Sequence, residues 1–423
     1  ELAMLIADER VTVCNIFPEQ AYLAGIFHDC GVPVLMQRFS TYCKLLRLDT
    51  PGGWADLAEA AYAVRAGATM LTRNVADEVA RRGVSAVVVD CEQGLVRLGL
   101  ATLLAIIAAA AAAQEKTLRI ATQNPRGHPI VLGLERFAEL VEARSRGRIK
   151  VMVFPGGTLG SDEVSIAALQ AGTLEMASLN SGILANQVKA FAVFDLPLLL
   201  SGDGDADALL DGPFGRSMHD ALHDKGLVGL AYYELGFRQI TNSLRPIHTV
   251  ADLQGLKLRV IPTPLNLDWV RALGAQAVPI PFPDVYAALE TKAVDGQDNP
   301  VTVIDANRFD RVQKYLLLSR HQYNPQSVLI SKKVWDGLDA AHRSMLADAA
   351  RESAAFQRGR ARSMEGAALE NLRKRGMVVT RLPDGEARKM ADLLRPVTDK
   401  TLKALPPGVV AGLKQARGAS TGK

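Results

Sequence analysis

Residues 116–154 read KTLRIATQNPRGHPIVLGLERFAELVEARSRGRIKVMVF, and this stretch alone indicates the fold class. Its two ends, 116–121 and 150–154, are short apolar segments typical of strands, and residues 129–144 between them carry apolar residues at helical spacing. A strand, a helix and a second strand in this order form a βαβ unit, whose two strands lie parallel. The stretch therefore predicts an α/β protein built on a parallel sheet.

The same alternation continues toward the C-terminus. Further strands are predicted at 227–232, 255–261, 277–280 and 327–331, and further helices at 265–273, 283–290, 333–376 and 384–402. The helix at 333–376 is broken near Gly337-Leu338-Asp339 and is long enough to bridge two lobes. Because no low-complexity linker interrupts residues 116–331, we expect two lobes that exchange segments.

The cysteines divide the chain into two parts. All four, Cys14, Cys30, Cys43 and Cys91, lie in the first 91 of the 423 residues. Their spacing matches neither a zinc site nor a CxxC pair, so free thiols of a reducing compartment are expected there. The cysteine-free remainder suits an oxidising compartment, where a stray thiol would form wrong disulfides.

Residues 98–113, LGLATLLAIIAAAAAA, lie between the two parts and are uncharged. A helix of that length spans about 24 Å, less than the roughly 30 Å of hydrocarbon in a bilayer, and its small terminal residues suit a signal peptidase. We therefore predict a signal peptide over residues 95–114, with a buried alanine-rich helix or a weak membrane anchor as the alternatives. Because a folded domain ahead of a signal would obstruct export, we expect residues 1–94 to be a gene-model artefact, with the native start near Leu95 or Val96.

Residues 1–91 predict an all-α segment, because their apolar residues recur at helical spacing. Within them, residues 24–31, AGIFHDCG, contain His28-Asp29 and resemble part of an HDOD signalling domain, a degenerate relative of the HD phosphohydrolases. A complete metal shell would need further histidines, yet the next one is His128. We therefore expect no metal at His28.

Residues 252–260, DLQGLKLRV, form a turn that leads into a strand with Leu258 on one face and Arg259 on the other. Arg259 then lies near the carboxyl end of its strand, the edge at which open α/β sheets bind ligands. A guanidinium holds a carboxylate through two parallel hydrogen bonds. Taken alone, the pattern also fits a solvated surface arginine.

Several other motifs accompany this one. They are FPGGTLG at 154–160, GTLEM at 172–176, GFRQ at 236–239, PFPDVYAALE at 281–290 and AVDGQDNP at 293–300. As a set, they resemble the solute receptors of the tripartite ATP-independent periplasmic (TRAP) transporters, the DctP-type family, over residues 115–423. The resemblance implies a two-lobed periplasmic-binding-protein fold with a ligand cleft between the lobes.

It also implies a function. A receptor of this family is a monomeric protein of the periplasm that binds a small organic carboxylate, such as a C4-dicarboxylate or a sugar acid. It closes its lobes on the ligand and delivers it to the membrane subunits of the transporter. No catalysis and no cofactor are implied.

The resemblance assigns roles to four residues. Arg259 matches the arginine that grips the carboxylate, and Arg238 matches a second basic position near the cleft. Asn299 matches an asparagine that helps hold the ligand, although it could instead belong only to a turn. Phe282 matches an apolar wall of the pocket, although it could instead be a core residue. Asp298 departs from a close relative group, which has glutamate there, so the ligand's identity stays open.

Three loop residues are further candidates for the cleft, namely Gln123, Asp162 and Asn180. Asp162 and Asn180 equally suit helix caps, since their side chains satisfy free backbone N–H groups. Residues 323–326, YNPQ, precede a predicted strand and are also candidates.

Other functional classes find little support in the sequence. Residues 115–423 lack cysteine, a P-loop, a GxSxG elbow and an HExxH motif, so we do not expect an enzyme. His219 and His223 would share a helix face but lack an evident third ligand, so no metal is expected. A net charge of +4 without a basic block makes nucleic acid an unexpected partner. The alternative function is a cytosolic HDOD-type regulatory protein with an α/β sensor domain.

Overall fold

Residues 116–420 are described by a computed structural model, in which nine strands form the sheet. The strands are β1 (Lys116–Thr122), β2 (Ile149–Phe154), β3 (Met176–Asn180), β4 (Leu227–Asn242), β5 (Lys257–Val260), β6 (Gln276–Pro279), β7 (Gly296–Asn299), β8 (Tyr315–Ser331) and β9 (Val378–Thr380). The predictions for residues 1–94, including the all-α segment and the HDOD resemblance, lie outside the described residues, as does the predicted signal peptide at 95–114.

Eleven α-helices cover the strands in this part of the chain. They are α1 (Pro129–Ser145), α2 (Asp162–Ala171), α3 (Asp203–Asp211), α4 (Pro213–Asp220), α5 (Pro264–Ala272), α6 (Val285–Glu290), α7 (Val301–Ala306), α8 (Lys332–Asp336), α9 (Ala340–Lys374), α10 (Asp384–Ala404) and α11 (Pro407–Ser420). Within residues 116–420, none of these helices is both long enough and apolar enough to cross a membrane.

The strand order is β2-β1-β3-β8-β4-β7-β5-β6, with β9 added to β8. The predicted βαβ unit is confirmed, because β1 pairs in parallel with β2 from Lys116 opposite Ile149 to Ala121 opposite Phe154. The α/β fold class follows from this unit and from the parallel pairs of β5 with β6 and β7.

Two long strands join the two lobes. The first lobe contains β1 to β3, of which β3 pairs with the end of β8, and the second contains β5 to β7, of which β7 pairs with the end of β4. Because β4 and β8 run antiparallel along their whole length, each starts in one lobe and finishes in the other. The predicted two-lobed architecture is therefore confirmed, and the chain crosses between the lobes within these strands.

β4 and β8 are 16 and 17 residues long, whereas the sequence predicted strands of only 227–232 and 327–331. Both are buried on both faces and carry polar side chains in their middle, so the alternation that normally reveals a strand is missing. The same reason explains why β7, with the buried sequence GQDN, was not predicted.

The pairing of β4 with β8 shifts register between Glu234 and Gly236, and Gly236 has a φ of 114°, a conformation that favours glycine. Gln357 of α9 compensates for the interruption. Its Nε2 donates to the Glu234 carbonyl at 2.8 Å, and its Oε1 accepts from the Glu234 N–H at 2.7 Å. The crossing region is thus attached to the long helix by both backbone groups of one residue.

The long helix bridges the lobes as predicted. It begins after the Gly337-Leu338-Asp339 break, where the Asp339 side chain accepts from the His342 N–H at 2.8 Å. Near its start, Leu346 packs in the core of the first lobe with the α1 residue Phe137. Near its end, Leu372 packs in the core of the second lobe.

Candidate ligand-binding site

A cavity that is partly open to solvent lies between the two lobes where several strands end. All seven residues proposed from the sequence line it: Gln123, Asp162, Asn180, Arg238, Arg259, Phe282 and Asn299. Asn324 and Gln326, from the YNPQ segment, line it as well, although they lie within β8 and not before a strand. Asn124 and Glu163 were missed, and their only sequence signal is that each directly follows a predicted residue.

Arg259 on β5 lines the cavity and forms no ion pair within residues 116–420. The residue is 2% exposed, and its Nε donates to the Ile280 carbonyl at 2.7 Å. Within residues 116–420, its two terminal guanidinium nitrogens have no hydrogen-bond partner. Burial, aided by the charge of Arg238, lowers the pKa of Arg259 to about 10, so it stays positive at neutral pH. The end of the fork is therefore available to an anion.

Arg238 on β4 differs, because its charge is already balanced. Its Nε lies 2.5 Å from Oδ2 of Asp298, and its terminal nitrogen donates to the Asp298 carbonyl. Burial alone would raise the pKa of Asp298, but the Arg238 charge and a 3.2 Å hydrogen bond from His321 hold it well below its usual range. Arg238 thus lines the cavity as half of a buried ion pair.

The opposite side of the cavity, in the first lobe, carries acceptors. Gln123 donates from Nε2 to the Gly160 carbonyl at 2.9 Å, while its Oε1 is buried without a partner among the described residues. Asp162 accepts from the Asn180 N–H at 3.3 Å through Oδ2, and its Oδ1 is likewise unpartnered there. Gln123, Asp162 and Glu163 together are called the acidic wall below.

Burial raises the pKa of Asp162 to about 7, and the neighbouring Glu163 contributes to the rise. The helix-cap alternative for Asp162 is wrong, because Ser161 caps α2 by accepting from the Val164 N–H at 3.4 Å. Asp162 is instead the first helical residue, where the helix dipole favours a negative charge. Its carboxyl group is thus held at the cavity by the start of α2.

The cap alternative fits Asn180 better. Its Oδ1 accepts from the Ile183 N–H at 3.1 Å and so begins the 3-10 turn Gly182–Asn186. Its Nδ2 donates to Oδ1 of Asn324 at 2.8 Å, which leaves Nδ2 of Asn324 buried with no partner in residues 116–420. Asn180 therefore orients Asn324 toward the cavity.

Phe282 and Asn299 complete the second-lobe side with Arg259, and these three residues are called the basic wall below. The Phe282 ring centroid lies 5.9 Å from the central carbon of the Arg259 guanidinium, a cation–π distance, and 6.4 Å from the Phe309 ring. Asn299 donates from Nδ2 to Oε1 of Gln297 at 2.6 Å, which orients its amide. The basic wall thus consists of the Arg259 charge, the Phe282 ring beside it and the Asn299 amide.

The two lobes also meet at the cavity margin. Asn186 of the first lobe donates from Nδ2 to the Pro262 carbonyl of the second at 3.4 Å. Gly157, in the FPGGTLG motif, has a φ of 68°, and a Cβ there would lie 2.8 Å from Oε1 of Gln123 and 3.5 Å from Pro283. Glycine therefore permits the close approach of this loop to both the acidic wall and the second lobe.

Of the two histidines His219 and His223, His219 packs in the interior of the protein. His219 is buried and stacked on Tyr232 with ring centroids 3.8 Å apart, and its Nε2 lies 3.1 Å from Ser327 Oγ. Burial lowers the pKa of His219 to about 3. In the described part of the chain, no three His, Cys, Asp or Glu residues are grouped to hold a metal.

Taken together, two lobes, a cavity between them and one unmatched buried guanidinium define a receptor for a small anion. The model of the DctP family, described as bacterial extracellular solute-binding protein, family 7, matches residues 120–404. The chain belongs to this family, which confirms the family predicted from the sequence.

Relatives agree with this assignment. The chain is 32% identical to the 2,3-diketo-L-gulonate-binding periplasmic protein YiaO of Escherichia coli K12 over 74% of its length and 94% of the relative's. A TRAP periplasmic solute-binding protein from Ochrobactrum anthropi, with a C-terminus bound in the ligand-binding pocket, is 44% identical with a TM-score of 0.66, covering 73% of this chain and 97% of that one.

The sugar-acid-binding protein DctPAm from Advenella mimigardefordensis, in complex with galactonate, is 36% identical with a TM-score of 0.71, covering 73% of this chain and 99% of that one. The family consists of solute-binding receptors, and its members are periplasmic proteins that bind small organic acids. The comparisons favour the receptor over the alternative of a cytosolic regulatory protein.

Proposed function

We propose that residues 115–423 bind a small organic carboxylate through Arg259, without chemical change, and deliver it to the membrane subunits of a TRAP transporter. The observation that carries the proposal is the Arg259 guanidinium, buried beside the cavity with two nitrogens unpaired in the described part. A buried charge is stable when it is paired and hydrogen-bonded, and a carboxylate pairs with both ends of the fork. The organic acids bound by the relatives agree with a carboxylate ligand.

Binding would favour closure because the two walls belong to different lobes. A carboxylate at Arg259 contacts the basic wall, and the rest of the ligand reaches Gln123 and Asp162 of the acidic wall. A ligand that contacts both lobes binds the closed form better and shifts the population toward it. The closed form is then the one that the membrane subunits recognise.

The decisive experiment is calorimetric titration of the purified protein with a panel of organic acids that includes galactonate. At least one acid should bind, and Arg259→Ala should weaken its binding at least about 30-fold, corresponding to about 2 kcal/mol. Arg271→Ala, an exposed arginine in the last turn of α5, is the matched control and should leave affinity unchanged. Equal affinity of Arg259→Ala and the unaltered protein would refute the assigned role.

The organisation of the chain is part of the proposal. Residues 95–114 would direct export, and residues 115–423 would act in the periplasm as a monomer. The family match begins at residue 120, shortly after the uncharged segment, which supports this division. A product in the osmotic-shock fraction that begins at Gln114 or Glu115 is expected, whereas full-length protein confined to the cytosol would contradict export.

A further inference from the structure

We propose that the acidic wall makes this receptor selective for hydroxylated monocarboxylates, and that Asp162 is the residue that excludes dicarboxylates. The inference rests on the proposed function, since it concerns the far end of a ligand whose carboxylate is held by Arg259.

The balance of charge around the cavity favours a ligand with a single carboxylate. Two guanidinium groups line it, but Arg238 is neutralised by Asp298, so one unmatched cation remains. Asp162 and Glu163 line the same cavity from the other lobe. A dicarboxylate that pairs with Arg259 would present its second carboxylate to these two acids, and like charges in a partly desolvated site repel each other strongly.

The unpartnered polar atoms of the acidic wall are hydrogen-bond acceptors. Gln123 is oriented by its bond to the Gly160 carbonyl, so its unpartnered atom is the acceptor Oε1. Asp162 is oriented by the Asn180 N–H, which leaves the acceptor Oδ1. A hydroxyl group donates to such acceptors, whereas an ionised carboxylate has no proton to donate. A buried acceptor left without a donor weakens binding.

An unpartnered amide donor lines the same cavity, on the side of the acidic wall's acceptors. Nδ2 of Asn324 is buried without a partner among the described residues, because Asn180 occupies the amide oxygen of Asn324. A hydroxyl oxygen accepts this donor and can donate its own proton elsewhere. Neighbouring hydroxyl groups therefore match two acceptors and one donor, a combination that a second carboxylate cannot satisfy.

The test compares galactonate with galactarate, which share a hydroxylated carbon chain and differ in having a terminal alcohol or a second carboxylate. Titrations at pH 8 should show galactonate binding at least about tenfold more tightly. Asp162→Asn should reduce this ratio at least about fivefold, mainly by improving galactarate binding. Asp384→Asn, an exposed acid that is likewise the first residue of a helix, should leave the ratio unchanged.

Galactarate binding as tight as galactonate binding by the unaltered protein would overturn the inference while leaving the proposed function intact. An unchanged ratio in a folded Asp162→Asn protein would also overturn the role of Asp162. If no organic acid bound at all, the proposed function would fail, and this inference with it. The ratio in the unaltered protein keeps the test decisive even if Asp162→Asn does not fold.

Discussion

The two walls of the cavity differ in what they offer a ligand. The basic wall, in the second lobe, supplies a guanidinium with two open nitrogens, whereas the acidic wall, in the first lobe, supplies a carboxylate and an amide oxygen. Under the proposed function, each lobe thus carries half of the recognition, and the two halves line one cavity. Under the proposed function, this difference also sets the ligand's direction, with its carboxylate toward the second lobe.

The two buried arginines extend this comparison. Arg238 and Arg259 are 1% and 2% exposed and line the same cavity, yet Arg238 is paired with Asp298 and Arg259 has no carboxylate partner in residues 116–420. Burial alone therefore does not distinguish the two arginines, whereas the partner of each does.

The largest effect is expected from breaking the Arg238 pair. Asp298→Ala leaves Arg238 buried without its partner and should lower the free energy of unfolding by about 3–5 kcal/mol, measured by urea denaturation. Asp392→Ala removes the exposed ion pair with Arg395 and should change stability by less than about 1 kcal/mol. Equal losses in the two variants would show that the Arg238 pair does not support the buried charge.

A smaller effect is expected from pH, because burial raises the pKa of Asp162 to about 7. As pH falls from 8.5 to 6, Asp162 gains a proton and loses its charge, so galactarate affinity should rise about tenfold. Arg259, with a pKa of about 10, keeps its charge over this range. The change is measured by titration calorimetry at several pH values.

Other groups also act on Asp162, so the pH effect needs a control variant. Glu163, Arg259, Gln123 and Asn180 all act on the carboxyl group of Asp162, and Asp162→Asn removes the proton-binding group while leaving these neighbours in place. Asp162→Asn should therefore make galactarate affinity nearly independent of pH. The same rise in galactarate affinity in Asp162→Asn would assign the effect to another group.

The same pKa predicts the direction of a stability change. The folded chain holds the Asp162 proton more tightly than the unfolded chain, so this residue reduces stability as pH rises from the ordinary carboxyl pKa to about 7. Asp162→Asn should accordingly raise the melting temperature at pH 8 more than at pH 5. An equal rise at both pH values would contradict a raised pKa.

The smallest effect is expected on the basic wall at Phe282. Phe282→Leu removes the ring 5.9 Å from Arg259 and should weaken galactonate and galactarate alike by a few-fold, about 0.5–1 kcal/mol, in the same titrations. The ratio of the two affinities should not move, since the acidic wall is untouched. A changed ratio would place Phe282 among the residues that select the ligand's far end.

Much of the architecture was accessible from the sequence because it rests on local patterns. Apolar periodicity located the βαβ unit and the long helix with its break at Gly337-Leu338-Asp339. The lengths of β4 and β8 were not accessible, since their middle residues are polar yet buried, and only partners from both lobes satisfy their backbone groups. Alternation of apolar and polar residues indicates a strand with one solvent-facing side, and β4 and β8 have no such side.

For the cavity, too, some features were accessible from the sequence and others were not. The sequence, through its motifs and the resemblance they carry, determined which seven residues would meet, including Arg259 and Asp162. Only the tertiary structure decided that Arg238 is neutralised by Asp298, and that Gln123, Asp162 and Asn324 each direct one unpartnered atom to buried space. Residue type specifies which charges and hydrogen bonds are possible. Which of them are already used depends on neighbours that are distant in the chain, and those neighbours are set by folding.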